Sequence, residues 1–94
     1  MSIVVRYAPA SLTKAKYDEA IAAVNAELGE DPPDGSVLHV CFGAEGDLRV
    51  SEIWESREKW EAFGAKLMPI LGRIGIDPGQ PDVYEVHNLL TNSS

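Results

Sequence analysis

The chain has 94 residues, 45% of them hydrophobic and 24% charged, and a formal net charge of −7. This length and composition are typical of one folded globular domain. The acidic charge disfavours nucleic-acid binding, and no apolar run approaches the roughly 20 residues that cross a bilayer. We expect one domain over residues 1–90, a flexible tail at 91–94, no membrane association and, without a signal-peptide pattern, a cytoplasmic location.

The first half of the chain predicts a strand followed by a helix. Residues 2–8 are β-branched and aromatic, and Pro9 ends the run. One face of this strand carries Ile3, Val5 and Tyr7. Thr13 is a suitable N-cap and Gly29 a suitable C-terminal stop for a helix. Between them, one apolar helical stripe is formed by Tyr17, Ile21, Val24 and Leu28.

The middle of the chain predicts a β-hairpin. Residues 36–43 and 48–55 form strands two and three, and the segment 44–47 between them is typical of a tight turn. A two-residue turn at Glu45 and Gly46 fixes the register. The pairs are then His39 with Glu52, Val37 with Trp54, and Cys41 with Val50. A one-residue bulge would shift this register.

The last part of the chain predicts a second helix and a fourth strand. Ser56 caps the helix, and Pro69 is expected to kink it or bring it near its end. Its apolar stripe is formed by Trp60, Phe63, Leu67, Leu71 and Ile74. Residues 83–90 read as strand four, which places His87 on a strand near the chain end.

These elements predict an α+β fold of the ferredoxin-like type, βαββαβ, with an antiparallel sheet in the order 4-1-3-2. In that topology the helices cover one face of the sheet. The opposite face is also apolar, with Leu38, Val40, Phe42 and Ile53. Because a solvated face is mostly polar, we expect a homodimer in which a second sheet covers this face.

A resemblance to a known superfamily rests on residues 39–43, HVCFG, and 46–58, GDLRVSEIWESRE. They resemble the dimeric α/β-barrel superfamily, which includes the antibiotic-biosynthesis-monooxygenase-like proteins and the stress-responsive barrel proteins. The most recognisable part is the Glu-x-Trp of Glu52 and Trp54 before the helix capped by Ser56. The resemblance implies a dimeric barrel with a ligand pocket between sheet and helices. Monooxygenases of the superfamily often carry a histidine on the second helix, where this chain has Trp60 and Phe63.

His39 and Glu52 are the candidate catalytic residues. A carboxylate fixes the tautomer of a bonded histidine, as a general base requires. The candidate substrate-binding residues are Trp54, Tyr7, Cys41 and Trp60, which would hold a small apolar or aromatic ligand. The alternative interpretation is a buried His–Glu pair whose two side chains only provide each other with a hydrogen-bond partner within the core. Cys41, the single cysteine, cannot form an intramolecular disulfide, and its apolar surroundings favour a buried, inert thiol.

Three functions remain open at this point. The first is a cofactor-independent enzyme of the monooxygenase-like or isomerase-like kind. The second is a non-catalytic dimer that binds a small ligand or a partner protein, and the third is a metal or haem binder. We predict no cofactor and no metal. His39 and His87 would lie on strands three spacings apart, about 14 Å, so only the partner's His87 could approach the same ion.

Overall fold

The order of helices and strands is βαββαβ in the computed structural model, which describes residues 1–92. The elements are β1 (Ile3–Tyr7), α1 (Lys14–Leu28), β2 (Ser36–Ala44), β3 (Asp47–Trp54), α2 (Arg57–Ile74) and β4 (Asp82–Glu85). The α+β ferredoxin-like fold that the sequence predicts is confirmed.

Both helices begin at the predicted caps. The side chain of Thr13 accepts a hydrogen bond from the Lys16 N–H at 3.1 Å, and Ser56 accepts one from Lys59 at 3.2 Å. Gly29 ends α1 with a φ of 65°, in the left-handed region that a side chain disfavours. α2 continues past Pro69 to Ile74. The helix therefore ends at a glycine cap and not at the proline.

The sheet is antiparallel with the order β2-β3-β1-β4, which is the predicted order read from the opposite edge. The predicted hairpin register is confirmed where His39 pairs with Glu52. The predicted pair of Val37 with Trp54 is wrong, because Trp54 pairs with Ser36. The register shifts between Ser36 and Leu38, so Val37 is the extra residue of a bulge.

The turn of the hairpin is tied to the start of α1. The Glu45 carboxylate accepts hydrogen bonds from the backbone N–H of Lys14 at 2.8 Å and of Gly46 at 3.0 Å. The Leu48 N–H also donates to the Leu12 carbonyl at 3.2 Å. The first N–H groups of a helix lack intrahelical partners, and a carboxylate there is favoured by the helix dipole. The turn therefore fixes where α1 begins.

The fourth strand is shorter than predicted. β4 ends at Glu85, and the last backbone bond of its ladder joins the Val86 N–H to the Ser2 carbonyl at 2.9 Å. Because β1 pairs only from Ile3 onward, the apolar residues after Val86 find no strand to extend β4 within residues 1–92. His87 is exposed beyond the strand, so its predicted strand position is wrong. The predicted tail falls partly on residues 93–94, which lie outside the described part of the chain.

The core lies between the sheet and the helices. Its centre is formed by Ile3, Val5 and Trp54, and the Trp54 ring packs against Phe63 with centroids 5.6 Å apart. α2 contributes Ile70 and Leu71, the buried residues of that helix. The stripe predicted for α2 is thus wrong at one position, since it omits Ile70. Leu67 is only half-buried because it faces open space between the helices and the sheet.

The opposite face of the sheet carries one apolar row across all four strands. Strand pairing places Leu38 beside Ile53, Ile53 beside Val4, and Val4 beside Tyr84. Leu38 and Tyr84 are 42% and 58% exposed. We call this row, together with Val40 and Phe42 on β2, the apolar sheet face. Within residues 1–92, neither helix is long and apolar enough to span a membrane.

Candidate active site

His39 and Glu52 are hydrogen-bonded neighbours on the helix-facing side of the sheet. The His39 Nδ1 atom lies 2.8 Å from Glu52 Oε2. The Glu52 side chain is 10% exposed and the His39 side chain 37%. A carboxylate only accepts hydrogen bonds, so the neutral imidazole carries its proton on Nδ1. The second ring nitrogen of His39 is therefore an acceptor.

Tyr17 is hydrogen-bonded to that second nitrogen. Its hydroxyl oxygen lies 2.7 Å from His39 Nε2, and the two rings are stacked with centroids 6.0 Å apart. Because Nε2 accepts, the Tyr17 hydroxyl donates. Tyr17 lies on the first turn of α1, which the Glu45 contact positions.

The second oxygen of Glu52 is bonded as well. Trp54 Nε1 donates to Glu52 Oε1 at 2.9 Å. Tyr17, His39, Glu52 and Trp54 therefore form one continuous hydrogen-bonded chain, named here the Tyr–His–Glu–Trp chain. Within residues 1–92, no buried side-chain nitrogen or oxygen lacks a partner.

The Tyr–His–Glu–Trp chain stands where two open spaces meet. A cavity of about 100 Å³ lies on one side, near Tyr7 and Leu71. A groove of about 790 Å³ lies on the other, between α1 and β2, and reaches Trp54 and Phe63. The residues that line both spaces are Tyr17, Ile21, Val24, His39, Glu52 and Leu67. A ligand in either space would meet the Tyr17–His39 contact.

The ionised side chains that line these two spaces are acidic. Among the described residues, no lysine or arginine lines the cavity or the groove. The groove instead carries the carboxylates of Asp18, Glu30, Asp31 and Glu52. The Nζ atom of Lys66 lies 3.4 Å from Glu30 Oε2 and balances the charge of that carboxylate. The lining suits an uncharged ring, because an anionic ligand would meet like charges without a cation to pair with.

Both tyrosines at the site hold their protons strongly. Burial raises the pKa of Tyr17 to about 12, with the nearby charges of Cys41, Glu52 and Asp18 acting in the same direction. Burial also raises the pKa of Tyr7, against the opposing effect of the hydrogen bond from Trp60. Both phenols therefore stay neutral over the physiological range.

Two of the four predicted binding residues line the cavity or the groove, and the other two line neither. Tyr7 lines the cavity and Trp54 the groove, so the structure brings both to the His39–Glu52 pair. Trp60 lines neither space; its Nε1 donates to the Tyr7 hydroxyl at 3.0 Å and so holds Tyr7 in place. Cys41 also lines neither and is half-buried, not fully buried as expected. Burial, and secondarily Asp18, raises the pKa of its thiol.

Sequence reasoning missed Tyr17 as a site residue. It was assigned only to the apolar stripe of the first helix. A usable signal was present, because a tyrosine on a sheet-facing stripe needs a partner for its hydroxyl. His39 is the histidine on the facing strand. The rotation of the helix about its axis, which decides whether the two meet, is not encoded in the local pattern.

Within residues 1–92, no group of three or more His, Cys, Asp or Glu side chains is placed to hold a metal ion. His87, which was the second histidine of the metal hypothesis, lies beyond the end of β4.

Solved structures with the same arrangement of elements come from several bacteria. SnoaB, a cofactor-independent oxygenase from Streptomyces nogalater, superposes with a TM-score of 0.63 at 13% identity over 95% of this chain and 94% of its own. A candidate antibiotic biosynthesis monooxygenase from Deinococcus radiodurans gives 0.60 at 13% identity over the whole of both chains. The chain shares the fold of these proteins.

A third structure is more similar in sequence. A candidate monooxygenase from Shewanella loihica is 24% identical and has a TM-score of 0.55, over 95% of this chain and 99% of its own. The resemblance inferred from residues 39–58 is therefore confirmed for the monooxygenase-like fold. No family model matches the chain, and no curated protein matches its sequence.

Proposed function

We propose that the protein is a dimeric, cofactor-independent enzyme of the monooxygenase-like kind that removes a proton from a small neutral aromatic ligand. The observation that carries this proposal is the position of His39, held between a buried carboxylate and a tyrosine where the cavity and the groove meet. A cofactor-independent oxygenase shares the fold, which supports the proposal by analogy alone.

The roles follow from the hydrogen bonds. Glu52 holds the Nδ1–H tautomer of His39 and stabilises the imidazolium once Nε2 gains a proton. The deprotonated ligand is an electron-rich carbanion or enolate. Reprotonation at another carbon would complete an isomerisation. With dioxygen as co-reactant, an activated methylene becomes a carbonyl: one oxygen atom enters the ligand, and the other leaves as water with the two methylene hydrogens.

The ligand class follows from the lining. The groove is large enough for a drug-sized molecule, for which pockets of about 300–1,000 Å³ are usual. Trp54 and Phe63 favour a ring, and the unpaired carboxylates Asp18 and Asp31 disfavour an anion. We therefore expect a neutral aromatic molecule with an acidic hydroxyl or an enolisable carbonyl.

The dimer is part of the proposal. The apolar sheet face has exposed aliphatic and aromatic side chains on both edge strands, β2 and β4. Isolated apolar residues are common on surfaces, but a continuous row is typical of an interface. A second copy, packed sheet to sheet, would bury this face.

Anthrone, a neutral three-ring ketone with an acidic methylene, is a suitable probe. Two rates are measured above the protein-free background: exchange of the methylene hydrogens for deuterium under argon, and dioxygen uptake in air. Both should be about a hundredfold lower in His39→Gln, because the general base is lost. His87→Gln is the matched control and should leave both rates unchanged. Equal rates in wild type and His39→Gln would refute the assignment of the base.

The second candidate function is non-catalytic ligand binding. It is favoured by one observation: each group of the Tyr–His–Glu–Trp chain already finds a partner inside the protein. The same experiment separates the two candidates. If anthrone binds by calorimetry, without hydrogen exchange or dioxygen uptake above background, the protein binds its ligand without turning it over.

A further inference from the structure

Neither ring nitrogen of His39 is free to bond to a ligand in this arrangement. Its Nδ1 atom bonds to Glu52 at 2.8 Å and its Nε2 atom bonds to Tyr17 at 2.7 Å. An imidazole has only these two nitrogens, so the basic one is covered by a phenol. A base that acts on a ligand must therefore act through Tyr17, or Tyr17 must leave.

The oxygen of Tyr17 is suited to act as an intermediary. A phenol hydroxyl has one hydrogen to donate and lone pairs that accept. The hydrogen is committed to His39 Nε2, so the oxygen still has acceptor capacity. Tyr17 lines both the cavity and the groove, and a ligand hydroxyl in either could donate to that oxygen.

Several contacts hold Tyr17 where it is. Its ring is stacked on His39 at an interplanar angle of 25°. Its helix turn is fixed by the Thr13 cap and by the Glu45 carboxylate on Lys14 N–H. Displacement of Tyr17 would break its hydrogen bond and expose His39 Nε2, whereas a relay keeps Tyr17 in contact with His39.

We propose that Tyr17 is a catalytic residue that relays the proton between the ligand and His39. The proposal rests on the proposed function and adds the route of the proton and the group that the ligand must present. An acidic O–H or activated C–H of the ligand gives its proton to Tyr17 Oη while the Tyr17 proton passes to His39 Nε2. The ligand becomes its conjugate anion, His39 becomes an imidazolium held by Glu52, and Tyr17 ends neutral as it began.

The acidity of Tyr17 accords with a concerted transfer. Burial raises the pKa of Tyr17 to about 12, with Cys41, Glu52 and Asp18 adding to the effect. A free tyrosinate is therefore disfavoured beside Glu52. The relay does not need one, because the phenol gains one proton as it loses the other.

Equilibrium ionisation of bound naphthols tests the relay without any turnover. A naphthol and its anion differ in near-ultraviolet absorbance, and ring substituents lower the naphthol pKa in steps. Calorimetry measures binding of each probe, and absorbance measures its ionised fraction at saturation. In wild type, the more acidic naphthols should enter as neutral phenols and ionise in the site, where the imidazolium of His39 balances the new anion. In Tyr17→Phe, binding should persist and the ratio of ionised to neutral bound probe should fall about tenfold or more, equivalent to at least one pKa unit.

Three variants separate the possible failures. His87→Gln removes the other histidine, which is exposed beyond the end of β4, and should ionise the probes as wild type does. His39→Gln should bind them neutral. If wild type binds no naphthol, or if His39→Gln ionises the probes as wild type does, the proposed function and the relay both fall. If His39→Gln loses ionisation of the probes but Tyr17→Phe retains it, His39 is the base and the relay is overturned.

Discussion

Glu52 is the residue around which the site is arranged. A buried carboxylate is costly unless its oxygens accept hydrogen bonds. Here one oxygen accepts from Trp54 and the other contacts His39. Glu52 thus links the core, through a tryptophan that is 2% exposed, to a histidine that reaches open space. The Glu-x-Trp spacing is explained by this link, because residues two apart on a strand share a face.

Loss of the Trp54 N–H should destabilise the protein. Trp54→Phe leaves Glu52 Oε1 buried without its donor, and an unsatisfied buried acceptor costs about 1–3 kcal/mol. Loss of packing volume adds to this cost. Urea unfolding measures the change. Trp60→Phe is the matched control, since it removes the half-buried bond to Tyr7 and should cost less. A larger loss in Trp60→Phe would contradict the importance given to Glu52.

We predict that ionisation of Tyr17 lowers the free energy of unfolding at alkaline pH. Its folded pKa of about 12 lies above the ordinary value of 10.0. A raised folded pKa gives stability that is fully present below pH 10.0 and is lost as the pH rises towards 12. Tyr17→Phe should reduce this loss, as measured by urea unfolding across the alkaline range. A tyrosinate absorbance step near pH 12 should also be absent from the variant. An unchanged step would assign that ionisation to another tyrosine.

At the scale of elements, α2 divides its residues between core and site. Leu71 is buried at 9% exposure and borders only the small cavity, whereas Leu67 is half-buried and lines both the cavity and the groove. Leu71→Ala should cost about 2–5 kcal/mol in urea unfolding. Leu67→Ala should cost less, because it enlarges a space that is already open. The reverse order would mean that the groove is closed in solution.

Local signals predicted the elements well because they act locally. The caps at Thr13 and Ser56 and the turn at Glu45 depend on neighbours within a few residues. The errors are non-local. Strand four was predicted too long because Val86, Leu89 and Leu90 are apolar, while the length of β4 is set by where β1 begins. The bulge at Val37 likewise depends on how the chain enters the hairpin from the preceding loop.

The candidate site was half predictable for the same reason. The His39–Glu52 pair follows from the hairpin register, which one turn determines. The contact with Tyr17 spans 22 residues and depends on the packing of α1 against the sheet. Cys41, a predicted binding residue, shares a face with His39 but lies two residues nearer the turn and outside the lining of both spaces.

For the whole molecule, the apolar sheet face predicts a homodimer. Sedimentation equilibrium at micromolar protein should give about twice the chain mass of 10.2 kDa. Val40→Glu places a charge on this face and should shift the equilibrium towards monomer. Ala65→Glu adds the same charge to an exposed position of α2 and should leave the mass unchanged. A wild-type protein that sediments as a folded monomer would contradict the prediction.

The contact between Glu45 and the start of α1 means that the geometry of the site can change without a change in the site's own residues. The turn sets the strand register that pairs His39 with Glu52, and it also anchors the helix that carries Tyr17. Glu45 itself is exposed and lines neither the cavity nor the groove. Exposed turns tolerate substitution and insertion better than strands do. Sequence drift in this turn could therefore alter the alignment of donor and acceptor at His39 while every residue of the site stays the same.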